Sequence, residues 1–288
     1  MERFLPLIKY DTYSAYDPRA TSQSLPTFLT IWPALGRYHD ELVLLGGLVP
    51  ICICKHPEGD GALPRPATLD VDLGIALGAS AGQYGTLSSE LRGQGFKDTT
   101  KNEARYMKEV NGFEMYIDFL VEDGTAAQGA RMVDDIQANV MPGVKRALET
   151  ARRVSLQGTD LYGADQSVSA RVCEVGPYLA LKLRAFKFRQ QPKDAFDILY
   201  TVKHYDRGPE AAVAAFAEEL RLGNPACPDA IDALLKDFKN ENSAGATRAA
   251  YFVLGEISRT ESKQVRLRRT MIRQDMVDIA TALSGTVS

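Results

Sequence analysis

Leu42-Val43-Leu44-Leu45-Gly46-Gly47, then an irregular segment, then Arg65-Pro66-Ala67-Thr68-Leu69-Asp70-Val71-Asp72-Leu73: this stretch decides how the rest of the chain is read. It reads as an apolar strand, a tight glycine turn and a second strand carrying two carboxylates one residue apart. Successive strand residues point to opposite faces, so Asp70 and Asp72 emerge together while Leu69, Val71 and Leu73 turn into the core. Two carboxylates so close repel one another unless a cation sits between them, which makes a divalent metal the natural occupant. The plain alternative is a solvated loop or open strand face, where Asp-x-Asp pairs also occur. Gly46-Gly47 adds context, because a backbone without Cβ atoms lets N–H groups approach a phosphate.

The chain has 288 residues, 45% of them hydrophobic, enough for one large or two ordinary domains with a sizeable core. A formal net charge of −3 and a pI near 5.8 exclude a global field that draws it to nucleic acid or anionic membrane, so any basic surface is local. Cys52, Cys54, Cys173 and Cys227 lack zinc-site spacing, and Cys52-x-Cys54 reads as apolar filling around Ile51 and Ile53. Glu2, Arg3 and Lys9 around a short apolar run ending at Pro6 do not read as a secretory signal. No apolar run is long enough to span a bilayer. The expectation is a reduced, cytoplasmic setting without membrane partners.

Further out, residues 1–23 read as an irregular arm, and a helix is expected from Ser24, capped by that serine, with Phe28, Leu29, Ile31, Trp32 and Leu35 inward and Pro33 disturbing its end. His56 to Pro66 reads as an exposed loop, and Thr86–Gly93 as a helix. Asn111-Gly112, between the alternating runs Ala104–Val110 and Phe113–Leu120, is a strong hairpin signal. The returning strand carries Asp118 among apolar neighbours, where an unpaired charge is prohibitive, so Asp118 needs a partner. Glu114 is expected to face solvent. Helical spacing is expected over Met132–Val154, a last strand near Arg171-Val172-Cys173, and helices almost throughout from Val175, with breaks at Gly208-Pro209, Gly223-Asn224-Pro225 and Asn240–Gly245. The fold class is α+β, with a mixed lobe over residues 1–174 and an all-helical lobe over 175–288.

Tyr178 to Arg189 forms an amphipathic helix with a basic face; Gln190-Gln191-Pro192 interrupts it and Lys193-Asp194-Ala195-Phe196-Asp197 begins another. Lys182, Arg189 and Lys193 could meet phosphates; alternatively Asp194 caps its own helix and pairs with Arg189. In the terminal helix, Arg266, Arg269 and Arg273 fall at the spacing that lines one side, a candidate contact for an RNA backbone or simply a solvated face.

Taken in order, Gly46-Gly47, Thr68-x-Asp70-x-Asp72, Asp118 in Ile117-Asp118-Phe119-Leu120, and Lys182-Leu183-x-Ala185 with Arg189 and Lys193-Asp194-x-x-Asp197-Ile198 resemble the AbiEii-type nucleotidyltransferases. These are toxins of type IV toxin–antitoxin systems within the polymerase-β-like superfamily. The resemblance covers roughly Leu42–Tyr205. It implies a nucleotidyltransferase-type mixed β-sheet with flanking helices, followed by the helical lobe. It also implies that Asp70, Asp72 and Asp118 hold two Mg²⁺ ions, and that Asp118 is a ligand or proton acceptor. Gly46, Gly47, Thr68, Lys182 and Arg189 would bind the NTP, with Lys182 and Asp194 counted among the catalytic residues and Asp194 positioning nucleotide, acceptor or Lys182. Two departures stand out: the loop before Asp70 is long, and Leu48 stands where many relatives carry Ser or Thr, removing a hydroxyl that would hold a triphosphate oxygen.

The activity so implied is transfer of NMP from an NTP to an acceptor hydroxyl, with the 3′ end of tRNA as acceptor and a cognate antitoxin as a further partner. Two alternatives stay open: the same chemistry on a small molecule or protein, and a catalytically silent nucleotide-binding module.

Overall fold

The computed structural model describes residues 10–59, 61–77, 87–99, 104–124, 129–133 and 135–287. The first part of Thr86–Gly93 lies outside them, as does the start of the amino-terminal arm. Strands β1 (Leu42–Leu45), β2 (Asp70–Ile75), β3 (Lys97–Asp98), β4 (Arg105–Val110), β5 (Phe113–Val121), β6 (Ala130–Val133), β7 (Ile136–Val140), β8 (Arg152–Thr159) and β9 (Asp165–Val172) all precede Cys173. They form one mixed sheet in the order β3-β4-β5-β2-β1-β9-β8, with β7 also paired to β5 and β6 to β7. Helices α1 (Pro18–Thr21), α2 (Ser24–Ala34), α3 (Val49–Ile53), α4 (Leu87–Gly93) and α5 (Val144–Glu149) are interspersed with the strands. From α6 (Val175–Arg189) the described chain is helical: α7 (Pro192–His204), α8 (Pro209–Arg221), α9 (Cys227–Asp237), α10 (Ala244–Leu254) and α11 (Lys263–Ser284). The fold is therefore α+β, as composition and periodicity suggest.

β1 and β2 sit at the centre of the sheet: β1 is apolar on both faces, and β2 on the one face that does not carry Asp70 and Asp72. Leu42, Val43 and Leu44 are fully buried, as are Val71, Leu73 and Ile75. β2 is antiparallel to β1 and parallel to β5, in a register that aligns Leu45, Asp72 and Asp118 across three strands. Val71, Leu73, Ile75, Ile117, Phe119 and Val121 share the opposite face, all completely buried; α2 packs on that side, against β2, β8 and β9. α2 places Phe28, Leu29, Ile31, Trp32 and Leu35 inward as expected and ends just after Pro33. Its start differs: the Ser24 hydroxyl donates to the Thr21 carbonyl (2.8 Å) instead of capping the helix. Within the arm, Asp17 caps the short α1 through the Arg19 N–H.

The hairpin at Asn111-Gly112 has positive φ at both residues, 53° and 80°, the geometry that matches the twist of paired strands. Two expectations give way. Met132–Val154 is not helical but forms β6, β7, α5 and the start of β8; Pro142 and Gly143, the latter at φ +99°, break the run, and the apolar residues alternate in strands instead of winding. The segment after Gly46-Gly47 is not wholly irregular, since Val49–Ile53 makes a short helix with Pro50 in its first turn.

Candidate acidic active site

Period-two alternation puts Asp70 and Asp72 on one face of β2, and the parallel register of β5 brings Asp118 beside Asp72. Each of the three offers a carboxylate oxygen within 4.8 Å of the others. Asp70 and Asp118 are buried and Asp72 is half-buried. The strand alternation read from the sequence is thus realised, and the third acid joins through a pairing between segments more than forty residues apart.

The glycine turn explains itself through Asp72. Gly46 has φ +67°, and a Cβ there would lie 1.6 Å from the Asp72 Oδ2 atom. A Cβ on Gly47 would lie 2.6 Å from the Thr68 hydroxyl and 3.3 Å from the Lys193 Nζ. Both glycines are therefore space for the acidic strand to approach the turn. Thr68, buried at 2% exposure, donates its hydroxyl to Asp70, fixing that carboxylate's orientation instead of opening toward a nucleotide. Leu48 is buried in the hydrophobic core.

Asp118 has a partner that the sequence reading left unnamed. Arg105, directly opposite it across the β4–β5 ladder, donates from Nε and one terminal nitrogen to the two carboxylate oxygens, each at 2.8 Å. The Arg105 guanidinium also lies 4.7 Å from the Tyr116 ring centre. The signal was present: a two-residue Asn-Gly turn fixes the register, and counting back from Val110 opposite Phe113 places Arg105 opposite Asp118. Burial, with repulsion from Asp72 and Asp70, still pushes the Asp118 carboxyl up to about 7 against the opposing pull of Arg105.

The other wall comes from α6 and α7. The Lys182 Nζ lies 2.7 Å from an Asp197 oxygen and 3.3 Å from an Asp194 oxygen. Arg189 forks onto Asp194 at 2.5 and 2.7 Å, and Lys193 reaches Asp197 at 2.6 Å. Asp194 and Asp197 are fully buried, so these cations are held in place by carboxylates instead of standing free. The pairing of Asp194 with Arg189, left open as an alternative, is present. Lys182, expected to face a triphosphate, has its charge already balanced. Burial works against the charges of Arg189 and Lys193, yet both pKa values are raised by their aspartate partners, with Asp70 contributing to each and Asp72 to Arg189. Acidic strands and basic helices thus form one electrostatic unit.

Between these walls lies a cavity of about 430 Å³. Gly46, Asp72 and Asp118 border it on the sheet side, Lys182, Arg184 and Arg189 on the helical side. Leu120, Met141, Leu181 and Phe188 give it a large apolar area. Phe188 is 53% exposed, with the Arg184 guanidinium 4.8 Å from its ring centre. The donor set suits a hard divalent cation: oxygen ligands only, of net negative charge, near a cavity wide enough for a phosphorylated substrate. Arg105 does not preclude such an ion, because each carboxylate oxygen accepts more than one partner.

The terminal-helix arginines do not form one face. Arg266 is exposed, whereas Arg269 is buried at 6% exposure, paired with Glu261 and donating to the Gly255 and Glu256 carbonyls. Arg269 is thus a structural pin, and the expected three-arginine RNA stripe is interrupted at its centre. Among the described residues, no helix is long and apolar enough to cross a membrane. Compared with known protein families, with curated proteins and with solved structures, the chain finds no match.

Proposed function

We propose that the chain is a Mg²⁺-dependent nucleotidyltransferase that moves a nucleoside monophosphate from an NTP to an acceptor hydroxyl. The observation that carries this reading is the convergence of Asp70, Asp72 and Asp118, each offering an oxygen within 4.8 Å of the others, with Asp72 and Asp118 lining a cavity whose far wall carries the carboxylate-paired Lys182, Arg184 and Arg189. Mg²⁺ held by the three aspartates would supply Lewis-acid stabilisation of the attacking and leaving oxygens. The protein's own part is positioning and charge. Gly46 lets Asp72 sit against the turn, Thr68 orients Asp70, and Arg105 fixes Asp118 on its strand. Arg189, itself aimed by Asp194, and Arg184, paired with Asp229, would present guanidinium N–H groups to the side where a triphosphate would lie. Asp118 accepts the acceptor's proton as the new bond to the α-phosphorus forms and pyrophosphate departs.

The acceptor implied by the resemblance is the 3′ hydroxyl of tRNA, and the biological role a toxin countered by an antitoxin. A small-molecule acceptor is the second reading, favoured by the apolar cavity wall at Leu120, Met141 and Leu181 and by the internal use of Arg269. Incubation with Mg²⁺, each α-labelled NTP and total tRNA tests the proposal. Label is expected on RNA with the wild-type chain and absent with Asp72→Asn. Transfer by Asp72→Asn at the wild-type rate would refute the metal site, and no transfer from any NTP to RNA or to a panel of small hydroxyl compounds would refute the activity.

A further inference from the structure

A second cavity, of about 420 Å³, lies on α10 and α11, with Pro192 at the start of α7 forming part of its wall. Arg248, Arg269 and Arg273 line it, and among its described lining residues the one acid is Asp11, which is exposed. Arg269 is neutralised by Glu261. Arg248 donates to the Gln190 carbonyl and forms no ion pair with a described residue. Arg273 forms no ion pair either, and its Nε is buried without a hydrogen-bond partner. A buried N–H with no acceptor is a costly arrangement; Arg152 and Arg269 carry such an Nε as well, but each has a carboxylate partner, which Arg273 lacks among the described residues. Guanidinium forks match phosphate oxygens, and two of them with no ion pair to a described residue, facing one cavity, suit such a group. The volume exceeds what a bare phosphate fills, and Tyr251 and Ile257 border the same space, with Ile257 67% exposed, offering surface for a base or sugar.

We infer that this cavity is a binding site for a phosphate group carried by a nucleotide, either free or within an RNA strand, distinct from the acidic site. The site does not depend on the nucleotidyltransferase reading. It also gives the basic terminal helix a different use from the one its spacing suggested: Arg273 acts from inside a concavity together with Arg248 of another helix, not from a stripe with Arg266.

The test is fluorescence anisotropy of a 3′-labelled, 5′-phosphorylated decaribonucleotide on the full chain in EDTA, with adenosine 5′-monophosphate and inorganic phosphate as competitors. Arg273→Gln and Arg248→Gln are each expected to weaken binding at least tenfold and to flatten the salt dependence by about 0.7 per lost phosphate contact. Arg266→Gln, on the same helix but exposed, is the control and is expected to change affinity less than twofold. Competition by adenosine 5′-monophosphate at millimolar concentration identifies a free nucleotide as a sufficient ligand; binding of the oligonucleotide without such competition identifies the RNA backbone. Equal losses at positions 266 and 273 would show a diffuse surface field instead of a site and overturn the inference, as would absent binding or unchanged binding in both Gln variants of the cavity. Circular dichroism verifies that each variant is folded, and among the described residues neither Arg248 nor Arg273 has an ion-pair partner to lose.

Discussion

Gly46→Ala tests the link between the glycine turn and the acidic site most directly. The added Cβ would sit 1.6 Å from Asp72 Oδ2 and 2.4 Å from its Cγ, where real Cβ atoms essentially never approach closer than 3.0 Å. Asp72 or the turn must therefore retreat by roughly 1.4 Å. Asp72 lies in the middle of a sheet, between Leu45 and Asp118, so the backbone of β2 resists and the carboxylate has to swing. A misplacement of about 1 Å at a reacting centre costs about 10²-fold in rate, and that is the loss expected in the proposed NMP transfer. An alanine held at φ +67° adds a backbone cost of about 1–2 kcal/mol. The variant should therefore fold, with a modest loss in urea stability, and have almost no activity. Labelled-NTP transfer and urea unfolding, run side by side, check both halves. More than one third of wild-type transfer in Gly46→Ala would refute the claim that close approach of Asp72 to the turn holds the site in register.

Two further outcomes follow from buried charge. The Asp118 carboxyl is raised from its ordinary 3.8 to about 7 in the metal-free fold, so the folded state holds a proton that the unfolded chain releases. Its contribution to stability is full below the unfolded value and is lost as pH rises through the folded one, amounting to about 3 kcal/mol between pH 5 and pH 8. In EDTA, the stability of wild type relative to Asp118→Asn should fall by that order across the window, and 10 mM Mg²⁺ should reduce the fall; parallel profiles for the two proteins in EDTA would contradict it. Lys193→Met removes one of two lysines holding Asp197 inside the protein. Because Lys182 remains, the loss should lie near the lower end of the range for breaking a buried pair, about 3 kcal/mol by urea unfolding, and a change under about 1 kcal/mol would show that the network carries little of the fold.

Much of the acidic site was legible because it obeys local rules. Alternation along one strand sets Asp70 and Asp72 on one side, and the Asn111-Gly112 turn fixes which residue faces Asp118, although Arg105 went unnamed until the ladder was seen. Met132–Val154 failed for the opposite reason. Its apolar residues Met132, Val133, Ile136, Val140, Val144, Ala147 and Leu148 fit helical spacing, while the competing period-two signal is confined to the five residues of β7, Ile136–Val140. Pro142-Gly143 and the Ile136-x-Ala138-x-Val140 alternation were the local warnings.

The sequence by itself determined the local elements whose geometry lies in neighbouring residues: the paired aspartates of β2, the hairpin, the helix ends at proline and glycine, and the change from strands to helices at Cys173. Tertiary structure alone decided that β5 lies parallel to β2 and delivers Asp118, that Asp194 and Asp197 neutralise Lys182, and that Arg269 is a pin while Arg248 and Arg273 share a cavity. The physical reason is the range of the forces. Backbone sterics and alternation act within a few residues, whereas the partner of a buried charge is chosen by whichever distant segment the packed core brings within hydrogen-bond reach.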